Sequence, residues 1–573
     1  MISADEIVQY LCRKGFNCQK LVVGDKDVIS VEFKVEDRVI ELLHFPRKEI
    51  TGLPAFYLSS PNDFGHLAHV TIVNLSGVDV GSICVNDRDS VSVNFSMPLL
   101  AIEESIKRHI AILSKGISDP AWNRKELLRE FKSCWLNVCS FEDRPVLLTS
   151  ERGELEEIDV YRPVSNRSYG VSSYYLAKSK DSELSPIASL YWADCSKRTK
   201  AGNAIVLPLD NLDPAPLKAE DLSKWYLQAL KHVQPKVYEQ LQTKYGRWKS
   251  TEYWIVFNAE VPSGKVWFAL SFKSKKKHSL PLTEKQLKNW SVKATPIRHF
   301  NKEAVLPRGG ANLNLTTSNV ALIGAGSVGC EIAHKLSAAG VQNLDIYDPD
   351  IYSIDNLYRH LLPEEFLHFY KSSALSFQLK RQFLWSKAEG YTGKLLDLRN
   401  RQRLMSYDLI VIAIGSPTHE RLFKEYLLEK GVDVPVINTW LEGFGVGGHA
   451  VLDIPESKGC LLCAYVCPDS LKRGLSSNLN FIEPNQEITI NLSGCGEQFI
   501  SYGAICSAQT ALIASDLAIQ FLEGRIENSS KVSWKGSDAD AKNKNIALTN
   551  RYYQFDASLQ LKALHHEDCD VCS

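Results

Sequence analysis

The pattern of hydrophobic and polar residues divides the chain into three blocks. In the first block, up to residue 145, a capping box formed by Ser3 and Glu6 opens an amphipathic helix that carries Ile7 and Leu11. Alternating, strand-like runs follow, and then two helical stretches, the second from Asp119. Helices on either side of consecutive strands are typical of an α+β domain.

The second and third blocks have different patterns. Residues 146–297 mix short strand-like runs with one long helical stretch, which predicts a mixed α/β linker domain. From residue 298 to residue 573 the chain opens with the strand NVALI, a glycine-rich turn, a helix and a second strand, LDIY. This order predicts a βαβ unit in a mostly parallel sheet, and therefore a Rossmann-like α/β domain.

Composition and charge narrow the possible functions. The chain has 573 residues, of which 44% are hydrophobic, and 66 Lys and Arg against 67 Asp and Glu give a net charge of −1. A neutral chain argues against direct nucleic-acid binding, which needs a basic excess. The N-terminus lacks the pattern of a signal peptide, and no run approaches the roughly 20 apolar residues of a membrane span. We therefore expect a cytoplasmic protein with no membrane partner.

A glycine-rich turn follows the first strand of the third block. Gly324, Gly326 and Gly329 match G-x-G-x-x-G. Such glycines permit a tight turn and let backbone N–H groups approach a phosphate at the N-terminus of the next helix. Up to this point the motif also fits an NAD(P) dehydrogenase. A third interpretation is that the glycines bind no ligand and serve only the close packing of strand and helix.

The residues after the second strand separate these possibilities. Asp348 and Asp350 lie where an acidic residue can hold a ribose hydroxyl, and Asn356, Arg359 and His360 follow. The pattern D-x-D…N-L-x-R-[QH] resembles the signature of the ThiF/MoeB/ubiquitin-activating family, whose members adenylate a protein's C-terminal carboxylate. An Arg359 that pairs with Asp350 only for structural reasons is the alternative.

The resemblance implies ATP and Mg²⁺ as ligands of the third block. The residues that it implies for nucleotide binding are Gly324, Gly326, Gly329, Asp348, Asp350, Asn356, Arg359 and Lys371, with Arg359 also acting in catalysis. The chain departs from the family in two places. Gly415 and Ser416 stand where the family usually has a Thr-Asp pair that binds metal, and Lys371 alone represents the lysine expected after the N-L-x-R segment.

Two C-x-x-C pairs point to a structural metal. Cys460 and Cys463 form the first pair, and Cys569 and Cys572 form the second, near the C-terminus. Four thiolates at this spacing suit tetrahedral Zn²⁺, and similar paired sites occur in many MoeB-like enzymes. Either pair alone also fits a redox-active or an incidental pair.

Cys495 is a candidate nucleophile, because it lies shortly before a long apolar helix. A helix N-terminus favours the thiolate, which is the attacking form. In sulfur-carrier and ubiquitin-activating relatives, a cysteine in this part of the chain takes the acyl group from AMP as a thioester. A small polar loop residue is the alternative.

Cys84 is a second candidate acyl carrier. It stands in Gly81-Ser-Ile-Cys84-Val after several strand-like runs, which resembles the G-x-I-C-[LV] context of the acceptor cysteine in a ubiquitin-conjugating fold. The His-Pro-Asn tripeptide of that family is absent, which leaves His66, His69 and Asn74 as candidate oxyanion donors. A half-buried strand cysteine is the alternative.

The order conjugating, linker, activating resembles the fused enzymes of bacterial CBASS anti-phage operons and of related ubiquitin-like conjugation systems. The resemblance implies a protein cargo with a free C-terminal carboxylate, either a ubiquitin-like protein or a nucleotide cyclase. Its carboxylate would be adenylated, captured on Cys495, passed to Cys84 and conjugated to a target lysine. The resemblance also implies a homodimer.

Two other functions remain open. The first is a ThiF/MoeB-type adenylyltransferase for sulfur transfer or peptide modification, in which the N-terminal block only recognises substrate. The second is a non-catalytic scaffold that binds nucleotide, which Gly415 in place of the usual aspartate suggests.

Overall fold

The chain folds into two compact units, Met1–Asn301 and Lys302–Ser573. The computed structural model describes residues 3–23, 26–46, 52–75, 77–85, 97–140, 144–150, 152–164, 173–180, 199–467, 472–491 and 498–556. The predicted division into domains 1–145, 146–297 and 298–573 stays a prediction.

The first part of the N-terminal unit is an antiparallel sheet that packs against two helices. The sheet has the strand order β1-β2-β3-β4-β6-β5. Its elements are helix α1 (Ala4–Arg13), the strands β1 (Asn17–Val23), β2 (Lys26–Val35), β3 (Arg38–His44), β4 (Tyr57–Ser59), β5 (Val70–Leu75) and β6 (Val78–Ile83), and helix α2 (Pro98–Ser118). Ser3 and Glu6 form the predicted capping box. Leu11, Ile29 and Ile106 belong to one core, which joins α1, the sheet and α2 in the α+β order that the sequence predicts.

The second part of the N-terminal unit is a mixed sheet of eight strands in the order β13-β12-β11-β10-β8-β9-β7-β14. Its strands are β7 (Val146–Leu148), β8 (Glu156–Tyr161), β9 (Tyr175–Ser179), β10 (Asn203–Pro208), β11 (Ser250–Val261), β12 (Gly264–His278), β13 (Ser291–Thr295) and β14 (Ile297–His299). The helices of the N-terminal unit that follow α2 are α3 (Pro120–Arg129), α4 (Phe131–Val138), α5 (Leu222–Ala229), α6 (Pro235–Thr243) and α7 (Glu284–Leu287). Phe131 and Trp135 of α4 pack with Trp225 and Phe268, so α4 shares the core of this second sheet.

The C-terminal unit has the predicted Rossmann-like α/β fold, with seven strands in the order β17-β16-β15-β18-β19-β20-β23. The strands are β15 (Asn319–Ile323), β16 (Asn343–Tyr347), β17 (Glu389–Tyr391), β18 (Leu409–Ile412), β19 (Val436–Leu441), β20 (Gly447–Asp453) and β23 (Ser530–Lys535), and β21 (Thr489–Asn491) pairs separately with β22 (Gln498–Ile500). The strands from β15 to β19 are parallel, in the Rossmann order 3-2-1-4-5.

Eight helices accompany this sheet in the described part of the C-terminal unit. They are α8 (Lys302–Arg308), α9 (Ser327–Ala339), α10 (Lys371–Gln382), α11 (Arg401–Leu404), α12 (Pro417–Lys430), α13 (Ala504–Leu522), α14 (Ala539–Asn543) and α15 (Asn550–Gln554). Contrary to the sequence-based expectation, α13 is long and apolar enough to cross a membrane. Its Ala511, Ala514 and Ala518 are buried in the core with Ala333 of α9 and Leu452 of β20, which is the environment of a core helix.

Candidate functional site

The glycine-rich turn lies at the carboxyl end of β15, where the strand order reverses between β15 and β18. Open α/β sheets bind ligands at this point. Gly324 has φ +97°, and a Cβ on it would lie 2.6 Å from the carbonyl oxygen of Ala413, just after β18. Only glycine therefore fits where the turn passes the neighbouring strand.

The other two glycines have different surroundings. A Cβ on Gly329 would lie 1.9 Å from the carbonyl oxygen of Gly324, so Gly329 allows α9 to start tightly against the strand. A Cβ on Gly326 would have nothing within 4 Å. The backbone at Gly326, the N-cap of α9, therefore faces open space at the positive end of the helix dipole, where a phosphate can approach.

Asp348 fixes this loop from the end of β16. Its Oδ2 accepts a hydrogen bond from the N–H of Ala325 at 2.6 Å, and its Oδ1 accepts one from the N–H of Asp350 at 2.8 Å. Burial raises the pKa of Asp348, and these two N–H groups offset part of that increase. Asp348 thus holds the glycine loop and Asp350 beside one another.

Lys371 and Asp350 form an ion pair at the start of α10. The Lys371 Nζ lies 3.2 Å from the Asp350 Oδ2, and the Lys371 N–H donates to the Asp350 carbonyl at 2.9 Å. The lysine side chain is 11% exposed and the aspartate side chain 66% exposed. A lysine is therefore held beside the loop, next to a carboxylate that solvent and ligands can reach.

The N-L-x-R segment is fastened to the loop through His360. The His360 Nδ1 accepts a hydrogen bond from the Leu362 N–H at 3.1 Å, so the ring proton lies on Nε2. The Nε2–H donates to the Ala325 carbonyl at 2.7 Å. Burial lowers the pKa of His360 to about 4, which keeps the imidazole neutral. Asn356 accepts hydrogen bonds from the N–H and hydroxyl of Ser353 through its Oδ1, so that oxygen closes a turn.

Arg359 lies over an aromatic ring that sequence reasoning did not identify. Its guanidinium carbon is 5.3 Å from the centre of the Tyr502 ring, and the Tyr502 hydroxyl is 2.8 Å from the Ser327 Oγ at the start of α9. A purely structural role for Arg359 would pair it with Asp350, but Asp350 pairs with Lys371. The only sequence signal for Tyr502 was its position before a long apolar helix.

The segment after β18 carries a buried glutamate. Glu420, in the first turn of α12, accepts from the Ser416 N–H at 3.0 Å and from the Asn438 Nδ2 at 3.1 Å. Burial raises the pKa of Glu420 to about 7. Both carboxylate oxygens of Glu420 thus have donors within the protein, and the side chain is buried.

Of the predicted metal and nucleophilic cysteines in this unit, the structure places only the first C-x-x-C pair. The Cys463 N–H donates to the Cys460 carbonyl at 3.0 Å, within a single 3-10 turn, and Cys463 is exposed. Cys495, Cys569 and Cys572 lie outside the described residues. Among the residues that are described, no group of three or more His, Cys, Asp or Glu side chains is arranged to hold a metal ion.

Cys84 is exposed, directly after β6. Its N–H donates to the carbonyl of His69 at 2.8 Å. Burial lowers the pKa of His66. Asn74 bonds to Asp79 and to the Gly77 N–H in the turn between β5 and β6, at the opposite end of the hairpin from Cys84.

The C-terminal site thus combines an open backbone at a helix N-terminus with two cationic side chains, Lys371 and Arg359. Donors of this kind stabilise negative charge on a polyphosphate. The exposed carboxylate of Asp350 beside the opening is the type of single oxygen ligand through which proteins bind Mg²⁺ together with substrate phosphates. The site therefore fits a magnesium-bound nucleoside triphosphate.

Comparison with known proteins gives a family match for this unit. The model of the ThiF family matches residues 301–570. The "ATP-dependent ubiquitin transferase-like protein Cap2" of Escherichia coli (strain TW11681) is 26% identical over 222 residues, which cover 37% of this chain and 36% of Cap2. The "adenylyltransferase and sulfurtransferase UBA4" of Debaryomyces hansenii is 28% identical over 182 residues, which cover 30% of this chain and 39% of UBA4. The chain thus spans less than half the length of these two relatives.

Solved structures give more distant matches. Escherichia coli MccB with ATP is 16% identical, with a TM-score of 0.30, and the match covers 41% of this chain and 64% of that chain. PaaA is also 16% identical, with a TM-score of 0.29, and the match covers 39% of this chain and 62% of PaaA.

Proposed function

We propose that this protein uses ATP to adenylate the C-terminal carboxylate of a protein substrate, a reaction supported by the match of the ThiF family model to residues 301–570. The observation that carries the proposal is the set of groups around the glycine loop. The backbone at Gly326 is open, and the Lys371–Asp350 pair is joined to the loop through Asp348. Arg359 lies over Tyr502, which bonds Ser327 at the start of α9. Likeness to Cap2, whose name describes an ATP-dependent transferase, supports the same chemistry.

In this reaction a carboxylate oxygen of the substrate protein attacks the α-phosphorus of ATP. The bond from that phosphorus to the bridging oxygen breaks, and pyrophosphate leaves with the electron pair. The backbone N–H groups at the start of α9 hold the phosphates, while Lys371 and Arg359 offset the charge that develops on them. Mg²⁺, when bound beside Asp350, neutralises part of the phosphate charge.

We propose that two cysteines then carry the acyl group. The Cys495 thiolate attacks the acyl carbon and AMP leaves, and the Cys84 thiolate then attacks this thioester and releases Cys495. A target lysine amine finally attacks the thioester on Cys84, which forms an amide and releases the Cys84 thiol. The exposure of Cys84 supports its part in these reactions, because the thioester on Cys495 must reach the Cys84 thiol. The cargo is a ubiquitin-like protein or a nucleotide cyclase, as in bacterial anti-phage conjugation systems, and the reactions occur in the cytoplasm.

Zinc bound by Cys460, Cys463, Cys569 and Cys572 is part of the proposal. The 3-10 turn that places Cys460 and Cys463 together supports it, because two thiolates separated by a single turn can bind one ion. Metal analysis of the purified protein should find one zinc per chain. Cys463→Ser should lower that content, whereas Cys330→Ser, which changes a buried cysteine behind the glycine loop, should leave it unchanged.

A homodimer is also proposed, from exposed hydrophobic residues on one segment of the C-terminal unit. The exposed side chains there are Ile351, Ile354, Tyr358, Phe369 and Phe377, and Tyr358 is 99% exposed. Large apolar side chains that are exposed in one segment are of the kind that a protein interface covers. Light scattering should give twice the chain mass, and Tyr358→Glu should give a monomer. A wild-type monomer at micromolar concentration would contradict this part.

The experiment that tests the proposed function supplies ATP, Mg²⁺ and candidate cargo proteins encoded beside this gene. Cargo-dependent exchange of pyrophosphate into ATP reports adenylation, and a non-reducing gel reports thioesters that DTT removes. Cys495→Ala should keep exchange and lose both thioesters, and Cys84→Ala should keep only the thioester on Cys495. Cys12→Ala, at another exposed cysteine of the N-terminal unit, is the matched control. Intact conjugation by Cys84→Ala would overturn the two-cysteine sequence.

The likeness to UBA4 favours a second candidate function, adenylation for sulfur transfer without conjugation. This function predicts the same pyrophosphate exchange but no thioester on Cys84. The non-reducing gel therefore distinguishes the two.

A further inference from the structure

The segment that precedes β5 lies opposite Cys84. Val70 of β5 pairs with Ile83 of β6, so the next pair in the same register is His69 and Cys84. The Cys84 N–H donates to the His69 carbonyl at 2.8 Å. The position of the Cys84 backbone therefore depends on the conformation of His69.

His69 has a backbone conformation that needs support. Its φ is +63°, in the left-handed region that side chains other than glycine rarely adopt. A conformation of this kind persists where surrounding groups hold it, and such residues cluster at functional sites. The groups that hold His69 thereby set the direction of the carbonyl that Cys84 bonds.

One carboxylate holds both the ring and the backbone of His69. The Glu130 Oε1 lies 2.7 Å from the His69 Nδ1, and the Glu130 Oε2 accepts from the His69 N–H at 3.2 Å. The Glu126 Oε2 lies 3.7 Å from the other ring nitrogen, Nε2. Carboxylates near both ring nitrogens favour the doubly protonated ring, whose Nδ1–H donates to Glu130.

The same helical segment holds the residues before His69. The Asn123 Oδ1 accepts from the Ala68 N–H at 2.7 Å, and its Nδ2 donates to the His66 carbonyl at 2.9 Å. Asn123, Glu126 and Glu130 follow the spacing i, i+3, i+7, which places them on one helix face. Glu130 directly precedes Phe131, which is fully buried in the core of the second sheet, so that this face has a rigid support.

We propose that His69, held by Glu130 and Glu126, is a positioning residue for Cys84: it fixes the carbonyl that anchors the Cys84 backbone while the thiol stays exposed. The catalytic meaning of this anchor rests on the proposed role of Cys84 as an acyl carrier. The anchor itself is a property of the fold and can be measured without cargo or ATP.

The anchor should depend on pH. The hydrogen bond to Glu130 is the main cause that raises the pKa of His69. A histidine with a raised folded-state pKa contributes its stabilisation fully below its unfolded pKa and loses it as the pH rises through the folded value. Other charged or titratable groups lie around His69, Glu126 and Glu130. Arg129 pairs with Glu126, and Cys134 lies next to Glu130. Lys115 lies over the ring of Trp122, which is beside His69.

The test is hydrogen–deuterium exchange at the Cys84 amide of the full chain, between pH 6 and pH 9, corrected for the intrinsic exchange rate. Wild-type protection should fall as the pH rises. Glu130→Gln should reduce protection at pH 6 by about tenfold, which is the loss of one charge-assisted hydrogen bond. Glu104→Gln, which removes an exposed ion pair with Arg108 on α2, is the matched control and should change nothing at Cys84.

A second variant separates positioning from general folding. His69→Lys keeps a cation that can pair with Glu130 but does not titrate in this range, so its Cys84 protection should become independent of pH. Circular dichroism and thermal unfolding show whether each variant is folded. Equal, pH-independent protection of Cys84 in wild type and folded Glu130→Gln would overturn the anchor. Normal exchange behaviour without any thioester on wild-type Cys84 would instead overturn the proposed function and leave the anchor standing.

Discussion

The hydroxyl of Tyr502 lies 2.8 Å from the Oγ of Ser327, the first residue of α9. Ser327 belongs to the glycine-rich loop, whereas Tyr502 follows Cys495 by seven residues. The hydrogen bond therefore joins the end of α9 that is proposed to bind phosphate to the part of the chain that carries the proposed nucleophile. The guanidinium of Arg359 also lies over the Tyr502 ring, so one aromatic side chain contacts both Arg359 and the start of α9.

Substitution of Tyr502 should separate its two contacts. Tyr502→Phe keeps the ring below Arg359 and loses only the hydrogen bond, so ATP affinity should fall no more than about fivefold. Tyr502→Ala also loses the cation–π contact and should weaken ATP binding by a further factor of about 3 to 30. Calorimetric titration with ATP and Mg²⁺ measures both. Tyr553→Phe, at an exposed tyrosine of the same unit, is the control. Equal affinities for Tyr502→Phe and Tyr502→Ala would show that the ring does not position Arg359.

Lys371 should contribute directly to phosphate binding. Lys371→Met removes a cation beside the loop and should weaken ATP binding by about 10- to 100-fold, the range for a hydrogen bond to a charged group. Lys371→Arg should retain part of the affinity. The same titration with Lys380→Met provides the comparison, because Lys380 lies on α10 in an exposed pair with Glu389. A similar loss in both methionine variants would indicate a general effect of charge.

The fold of the C-terminal unit could be predicted from the sequence because the residues that indicate it lie close together in the chain. The strand NVALI, the three glycines and Asp348 follow one another within 30 residues, and each has a strict steric or hydrogen-bonding task. The Rossmann-like sheet and the positions of the loop and its aspartate could therefore be predicted.

Contacts between distant parts of the chain could not be predicted in the same way. Tyr502 meets Ser327 across 175 positions, and His69 meets Glu130 across 61. No sequence motif around Tyr502 or Glu130 indicates these contacts. The second half of the helical stretch from Asp119 carries Trp135 into the core of the eight-stranded sheet. Apolar periodicity predicts that a helix has a buried face and does not specify the sheet that covers it.

Two glycines of the loop should respond differently to the same substitution. Gly329→Ala places a methyl group 1.9 Å from the Gly324 carbonyl oxygen and should destabilise the C-terminal unit by about 1 to 3 kcal/mol. Gly326→Ala meets nothing within 4 Å and should leave the melting temperature unchanged. Its methyl group enters the space for phosphate, so ATP affinity should fall at least about tenfold. Thermal unfolding and ATP titration, run on both variants, give the comparison. Unchanged ATP affinity in Gly326→Ala would place the nucleotide elsewhere.

Glu420 should make the stability of the C-terminal unit depend on pH. Burial raises its pKa from 4.5 to about 7 in the folded protein. Between these values the unfolded chain releases the proton while the folded chain keeps it, so stability falls as the pH rises from 4.5 to 7 and is constant above. A shift of this size corresponds to about 3 kcal/mol.

Glu420→Gln should remove this dependence. The glutamine Oε1 can still accept from the Ser416 N–H, and the Asn438 amide can rotate to accept from the glutamine Nε2. The variant should therefore match wild type near pH 5 and unfold several degrees higher at pH 8, as followed by thermal unfolding at both pH values. Glu425→Gln, at an exposed position on the same helix, should shift neither midpoint. A Glu420→Gln variant that is equally destabilised at pH 5 and pH 8 would show that the charged carboxylate is required for packing, contrary to the expected effect of its burial.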